Sequence, residues 1–319
     1  MNIQPVIAGG TADAPAATSG GSWRIKWRYA VPIVAAHLVA LLAFVPWFFS
    51  WTGVVLMAVG LYVFGTLGIN LGYHRLLTHR SFSSPRWLER TLAVLGACCA
   101  EESPTVWVAW HRRHHHVADE EPDPHTPLRS FVWGHIGWLV IKSDNTEAGP
   151  LIGRYAADLI SDPFYARLEA SDNWLKLALS TWVLYFAAGF GVAMAQGDSI
   201  EEAVQFGSSL LVWGAAVRTV LVWHASWSIN SVTHVWGYRS YDTPDNSRNN
   251  LLVALLTNGE GWHNNHHADP RSARHGRGWR EPDVAWLTIR GLAALGLARN
   301  VALPSRRIEA GLGVAETRD

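Results

Sequence analysis

Nine histidines stand in short, repeated arrangements that are typical of metal ligands. They form three clusters and one isolated position: His74 and His79 (first cluster), His111, His114 and His115 (second cluster), His263, His266 and His267 (third cluster), and His234, which follows Asn230 by four residues. Neutral imidazole is a ligand for Fe, Zn, Cu and Ni. Nine imidazoles are too many for one ion and about right for two.

The spacing predicts how each cluster faces a metal. Residues three and four apart share one face of an α-helix, so the second cluster is expected to point together, with His116 pointing away. The third cluster repeats this spacing in a remote segment, which favours ligation over a basic interfacial stretch or a polar helix end. Residues five apart lie about 140° apart on an α-helix, so we expect the first cluster to straddle a metal pair.

Composition and hydropathy predict an all-α integral membrane protein. Charged residues make up 16% of the 319 residues, and there are 18 tryptophans, which favour membrane interfaces. Four stretches approach or exceed the roughly 20 residues that span a bilayer, at 29–49, 52–73, 174–196 and 206–230. The net charge is zero, so nothing indicates nucleic-acid binding. Cys98 and Cys99 are interpreted as small buried apolar residues.

The remaining segments predict a helical cap and two tails. Segments 74–173 and 231–302 would form a cap that holds the metal site, within a membrane domain at 23–302. Residues 1–22 lack the apolar region of a signal peptide and are expected to be disordered, and 303–319 form a C-terminal tail. Lys and Arg are concentrated before the first span and in the two cap segments. The positive-inside rule therefore places both termini, the cap and every cluster in the cytoplasm.

A site with many imidazoles and no thiolate, set among apolar spans, indicates a membrane di-iron oxidase rather than a zinc hydrolase. Ligating imidazoles usually donate their other N–H to a carboxylate or carbonyl, so Asp123 and His125 are candidates for supporting the ligands. Asn230 is a candidate for holding a bound water. Four other histidines are interpreted as structural: His37, His135, His224 and His275.

These stretches resemble the membrane fatty-acid desaturases of the Δ9, stearoyl-CoA desaturase type, in their bacterial form. The matching motifs are His74-Arg-Leu-Leu-Thr-His79, His111-Arg-Arg-His-His115, Asp123-Pro-His125, Gly134-His-Ile-Gly-Trp138, Asn230-Ser-Val-Thr-His234 and His263-Asn-Asn-His-His267. The resemblance implies a four-span anchor with a cytoplasmic cap holding two Fe(2+) ions. It also implies the nine histidines as iron ligands, Asn230 acting through a water, O2 as co-substrate, and location in a bacterial inner membrane.

The chain departs from the animal members of this family at two places. Where animal members have an Arg-Asp pair that is associated with CoA, this chain has Ala109-Trp110. Where they have a second, basic pair, it has Lys142-Ser143 and so only one basic residue. The acyl carrier therefore stays open between CoA, phospholipid and ACP. Too few residues follow His267 for a fused cytochrome b5 domain, so we expect a separate electron donor, either ferredoxin-like or cytochrome b5-like.

The expected reaction is the O2-dependent introduction of a cis double bond, at Δ9, into a saturated acyl chain. Met57, Ala58 and Tyr62 are candidates for the closed end of the acyl tunnel. A membrane di-iron hydroxylase of alkanes, sterols or carotenoids is the main alternative, since it would use the same clusters. A histidine-rich metal transporter is disfavoured, because transporters place ionisable ligands near the bilayer midplane and these clusters lie outside the apolar cores.

Overall fold

The computed structural model describes residues 24–305. Within that range the chain is helical and forms no strand, only isolated β-bridges such as the one between Ser83 and Arg299. The all-α prediction is thus confirmed for this part of the chain. The predicted N-terminal tail, and residues 306–319 of the predicted C-terminal tail, lie outside the described residues.

Fourteen α-helices follow one another within this range. In chain order they are α1 (Trp27–Leu41), α2 (Trp51–Gly60), α3 (Arg86–Ala97), α4 (Pro104–Val117), α5 (Trp138–Val140), α6 (Ala148–Tyr155), α7 (Ala157–Ile160), α8 (Pro163–Glu169), α9 (Asn173–Gln196), α10 (Ile200–Leu210), α11 (Arg218–Ser231), α12 (Leu251–Leu256), α13 (His263–Ala268) and α14 (Val284–Ala294). Three π-helical segments continue or precede them, at Leu61–Thr78, Trp133–Gly137 and Leu211–Val217. Short 3-10 turns lie at Leu42–Phe44, Pro46–Phe48, Asp144–Thr146, Ala170–Asp172 and Val232–His234.

Four continuous helical stretches are long and apolar enough to cross a membrane, as the hydropathy predicted. They are Trp27–Phe44, Trp51–Thr78, Pro163–Gln196 and Ile200–His234. The second and fourth stretches extend beyond the predicted spans, so that the second contains His74 in its last turn and the fourth ends at His234. Both of these helices therefore deliver candidate ligands directly from their C-terminal ends.

A tight hairpin joins α9 to α10. Gly197 adopts a positive φ of 88°, which glycine tolerates without steric cost, and Ser199 caps α10 in a reciprocal capping box with Glu202. Farther along the hairpin the two backbones come close together, because a Cβ on Gly189 would lie 2.9 Å from the Cα of Gly207. This short connection keeps the third and fourth membrane helices antiparallel and adjacent.

The remaining helices pack against the ends of the membrane helices and hold the site. Helix α3 lies along Leu61–Thr78 so closely that a Cβ on Gly72 would meet the carbonyl oxygen of Leu92 at 2.9 Å. A buried cluster that includes Tyr73, Trp110 and Trp223 joins three elements, the second membrane helix, α4 and α11. The helix that carries the second histidine cluster is thereby fixed to two membrane helices.

Candidate metal centre

The structure brings the nine histidines together in two groups. Within each group the ligand atoms lie within 4.8 Å of one another. The first group, called the five-histidine group, contains His74, His79, His111, His115 and His266. The second, called the four-histidine group, contains His114, His234, His263 and His267. The arrangement offers two neighbouring sites with only nitrogen ligands.

The α-helical geometry predicted that the first cluster would straddle the two groups. The structure contradicts this prediction. The backbone N–H of His79 donates to the carbonyl oxygen of His74 at 3.1 Å, which is the i to i+5 step of a π-helix. This wider turn brings residues five apart onto one side, and the two imidazole centroids lie 4.7 Å apart. Both histidines therefore belong to the five-histidine group.

The second and third clusters each contribute to both groups. Helix α4 begins at Pro104, with Ser103 Oγ accepting from the N–H of Val106 at 3.1 Å, and its last turns present the second cluster. His111 and His115 point to one group, whereas His114 points to the other. In the third cluster only His266 joins the five-histidine group. Two helices thus bridge the two sites and fix their separation, while His116 is exposed and points away, as predicted.

Carboxylates hold four of the imidazoles by their Nδ1 atoms. Three of the imidazoles donate to an aspartate: His114 to Asp123 at 2.9 Å, His234 to Asp119 at 2.9 Å and His267 to Asp245 at 2.7 Å. In the fourth pair, His74 Nδ1 lies 2.8 Å from Glu260 Oε2. Donation from Nδ1 leaves the lone pair on Nε2, where a metal can be bound. Asp123 contacts a candidate ligand, as the sequence analysis expected. The other three carboxylates were not foreseen, because they are remote in sequence from the ligands they contact.

The charges at the site support this hydrogen-bonding pattern. Burial opposes ionisation of Asp123 and Asp119, but the neighbouring imidazoles His114 and His234 outweigh it and hold the pKa values of both carboxyls below their ordinary range. Conversely, burial lowers the pKa of His263 well below that of free histidine, and the neighbouring imidazoles lower it further. The imidazole is therefore neutral, as a metal ligand must be.

The donor atoms fit a bound cation. His234 and His263 face each other through Nε2 atoms 3.1 Å apart, although the lone pair of His234 already lies on Nε2. Three further atoms, His79 Nε2, His114 Nε2 and His267 Nε2, are buried and have no hydrogen-bond partner within residues 24–305. Converging, unpartnered lone pairs are costly unless a cation lies between them. An all-imidazole set suits Fe, Zn, Cu or Ni.

The two asparagines within the third cluster anchor α13. Asn264 Oδ1 accepts from the backbone N–H groups of Ser240 and Tyr241 at 2.7 and 2.8 Å. Asn265 exchanges two hydrogen bonds with Asn249, at 2.8 and 3.1 Å. In the His-Asn-Asn-His-His motif the histidines are candidate ligands, whereas the asparagines hold the helix in place. The sequence analysis did not recognise this role of the asparagines.

A buried ion-pair network supports the first cluster from behind. Arg75 is fully buried and donates to Glu260 Oε1 at 3.0 Å and to Asp283 Oδ1 at 3.0 Å. Burial opposes the charge on Glu260, but Arg75 outweighs it and keeps the pKa of that carboxyl well below its ordinary range. Glu260 also contacts His275 at 3.1 Å, so this histidine lies behind the five-histidine group. The negative charge that orients His74 is thus balanced within the fold.

An apolar cavity of about 260 Å³ adjoins the five-histidine group. Its wall comes from α1, the Leu61–Thr78 segment, α4, α9 and α11, and it includes His74, His111 and Asn230. Met57, Ala58 and Tyr62 do not line it, so the prediction that they close the acyl tunnel is wrong for this cavity. These three lie on the part of the second membrane helix that precedes the cavity wall, and Ala58 is exposed.

Three of the histidines interpreted as structural form a chain outside the metal centre. His37 Nε2 and His224 Nε2 lie 3.0 Å apart, His224 Nδ1 and His135 Nε2 lie 3.0 Å apart, and His135 Nδ1 meets Ser231 Oγ at 2.9 Å. Their nitrogens are arranged in series rather than converging on one point. This arrangement agrees with hydrogen bonding between helices, not with metal ligation.

Comparison with known proteins identifies the family. A family model described as Fatty acid desaturase matches residues 49–286. The chain belongs to the fatty acid desaturase family. This desaturase is 41% identical over 284 residues to the sn-1 stearoyl-lipid 9-desaturase of Anabaena variabilis, covering 89% of this chain and 96% of that one. It is 38% identical to the sn-2 palmitoyl-lipid 9-desaturase of Nostoc sp., covering 88% and 92%. It is 40% identical to the icosanoyl-CoA 5-desaturase of Limnanthes douglasii, covering 89% and 76%.

Family membership makes the protein an oxidoreductase that acts on fatty acyl chains. The expected resemblance to Δ9 desaturases is thereby confirmed, and the four apolar helices and the histidine groups agree with a membrane-bound, metal-binding enzyme of this kind.

Proposed function

We propose that this desaturase introduces a cis double bond at position 9 of a saturated acyl chain carried on a membrane glycerolipid, using O2 and two iron ions. The observation that carries this proposal is the apolar cavity that reaches from the membrane helices to His74 and His111. The names of the relatives from Anabaena and Nostoc support the bond position and the lipid carrier.

In this proposal the nine histidines hold the irons, one in each group, and Asn230 contributes through a water. When bound, the metal pair would activate O2, which is reduced to two waters by the two hydrogens from adjacent methylenes together with two protons and two electrons from the donor protein. Acid–base chemistry alone does not suffice, because acyl C–H bonds carry no acidic proton. The three aspartates that accept from Nδ1 would keep His114, His234 and His267 in the tautomer that exposes Nε2. Glu260 would orient His74 through its charge.

The cavity wall would hold the methylenes and exclude water beside the metals. Trp107 stacks on the His111 ring, with centroids 5.0 Å apart and planes 24° apart. Both rings line the cavity, so Trp107 would limit how the chain approaches a metal held by His111. A chain held in one orientation presents the same pair of carbons at each turnover.

Trp110 supports a lipid carrier over CoA. It occupies the place of a charged residue that animal relatives associate with CoA, yet here it is buried on the cavity wall, 5.0 Å from Trp138. Lys142 is exposed, and Ser143 next to it caps a short turn. The similarity to an icosanoyl-CoA desaturase makes CoA the alternative that an assay must compare directly.

The proposed topology places both termini, both histidine groups and the cap in the cytoplasm of a bacterial inner membrane. Candidate ligands at the C-terminal ends of the second and fourth membrane helices support a common side for the site. A separate ferredoxin-like or cytochrome b5-like protein would supply electrons from that side.

The test is an assay of the purified, iron-loaded chain with a reducing partner. Stearoyl glycerolipid, stearoyl-CoA and stearoyl-ACP are supplied in parallel, and products are analysed for double-bond position. We expect 9-unsaturated product from the glycerolipid at the highest rate. Faster turnover of stearoyl-CoA would contradict the proposed glycerolipid carrier. Hydroxylated products would contradict the proposed desaturation.

A further inference from the structure

Glu101 forms part of the wall of the apolar cavity, just before the helix that carries the second histidine cluster. Its Oε2 atom accepts hydrogen bonds from Trp107 Nε1 at 3.3 Å and from Ser226 Oγ at 2.9 Å. Its Oε1 atom is buried and has no hydrogen-bond partner within residues 24–305. Both donors are neutral, so no positive charge is bonded to this carboxyl.

The surroundings of Glu101 do not favour its charge. The other charged or titratable side chains on the cavity wall are Arg28, Tyr29, His74, Glu102, His111, His125 and Glu260. Tyr73 and Cys99 also interact with Glu101 electrostatically. Arg28 is paired with Asp172 at 2.5 Å instead. Burial therefore dominates, and it raises the pKa of Glu101 to about 8.

We propose that Glu101 links protonation to acyl-chain binding: the cavity takes up a chain while this carboxyl is neutral and rejects it once the carboxyl is ionised. This inference rests on the proposed function, because it takes the occupant of the cavity to be an acyl chain. Glu101 as a whole is half-buried, and a chain that fills the cavity would place methylene groups where water can otherwise approach its side chain. An ionised group would then be left without water or a cation, which is strongly unfavourable.

The link has a defined direction with pH. Glu101 is neutral below its pKa and ionised above it, so chain binding weakens as the pH rises through about 8. If only the neutral form binds, the apparent KM for the acyl substrate rises by about tenfold per pH unit well above the pKa, while kcat at saturation stays constant. A purely structural role for Glu101 would not produce this separation of KM from kcat.

The experiment measures binding without turnover. The full-length, iron-loaded chain is mixed, in the absence of an electron donor, with a stearoyl phosphatidylcholine that carries a diazirine on its acyl chain. After irradiation, mass spectrometry measures crosslinking to peptides of α4 on the cavity wall. Peptides of α10, none of whose residues lines the cavity, serve as the internal control. The variants are Glu101→Gln, which stays neutral, and Glu89→Gln, a matched substitution on α3 outside the cavity.

We expect crosslinking to α4 to fall by about tenfold between pH 7 and 9 at subsaturating lipid in the unmodified chain. The fall should persist in Glu89→Gln and disappear in Glu101→Gln, with α10 unaffected throughout. A constant yield in the unmodified chain, or an equal fall in Glu101→Gln, would overturn the inference.

Two further readouts keep the result decisive. If Glu101→Gln fails to fold, infrared spectroscopy of the unmodified chain replaces it: the signal of a neutral carboxyl must disappear in parallel with the crosslink, and its absence overturns the inference. A chain that binds lipid in this pH-dependent way but forms no double bond would instead contradict the proposed function and leave the role of Glu101 intact.

Discussion

The backbone N–H of His79 donates to the carbonyl oxygen of His74 across five residues, at 3.1 Å. This π-helical step ends the second membrane helix and turns both imidazoles toward the five-histidine group. A π-helical turn is rare and is frequently found at functional sites. Here it lets one apolar helix supply two candidate ligands to the same site.

The division of the histidines into two groups predicts separate losses of metal. We expect His79→Ala, in the five-histidine group, and His263→Ala, in the four-histidine group, each to lower bound iron from about two ions per chain to about one. Elemental analysis of the purified protein measures this. His116→Ala is the control, because His116 lies on the same helix as the second cluster but is exposed. Equal iron loss in His116→Ala would contradict the assignment.

Asp119 is predicted to support the four-histidine group without binding metal itself. Its Oδ2 atom accepts from His234 Nδ1 at 2.9 Å and from the backbone N–H of Asn246 at 2.7 Å. Loss of such a partner typically lowers metal affinity 10- to 100-fold, so Asp119→Asn should weaken one iron by about that factor. Competition with a chelator measures the affinity. Asp172→Asn, at an exposed ion pair, should leave it unchanged.

The metal-free protein is predicted to lose stability as the pH falls. Burial, followed by repulsion from neighbouring imidazoles, lowers the pKa values of His111, His115, His263 and His266 well below 6.5. Below about pH 6.5 the unfolded chain takes up protons that the folded chain does not, so the free energy of unfolding decreases, by up to about 1.4 kcal/mol per pH unit for each histidine.

The melting temperature of the metal-free chain in detergent, measured from pH 7.5 to 5.5, tests this. It should fall steadily, and His263→Ala should have a shallower slope than the unmodified chain. A melting temperature that is independent of pH would show that these imidazoles are already protonated or solvated in the folded state.

The cavity predicts which substitutions change acyl-chain selection. Val39 on α1 lines the cavity, so Val39→Trp should reduce the space for the chain and shift products from stearoyl toward palmitoyl. Ala58→Tyr adds a large side chain to an exposed position outside the cavity and should leave the product distribution unchanged. Product analysis by gas chromatography compares the two variants, and the opposite pattern would mean that the chain occupies another path.

Local patterns in the sequence were enough to identify the nine histidines as candidate ligands and to locate four apolar helices. Ligand spacing and hydropathy are short-range properties, and neither depends on which segments meet in the fold. The same holds for Asp123, which lies nine residues after the imidazole that it contacts.

Tertiary packing decides which histidines share a group. It also decides which carboxylates support most of them. His234 meets a carboxylate from a segment 115 residues away, Asp119, and nothing in the spacing indicates this. The expected position of His79 was wrong because α-helical geometry was assumed where the chain forms a π-helix. The cavity residues were misplaced because hydropathy does not distinguish a helix face that lines a cavity from one that faces lipid.

The most direct test of the central claim is the fatty-acid profile of a host that expresses the chain, with double-bond positions assigned by mass spectrometry, beside an equally expressed His111→Ala variant. The proposed function predicts new 9-monounsaturated acyl chains on glycerolipids that are absent with His111→Ala. An unchanged profile from well-expressed, iron-loaded protein in a host that supplies electrons, or hydroxylated products in place of alkenes, would contradict it.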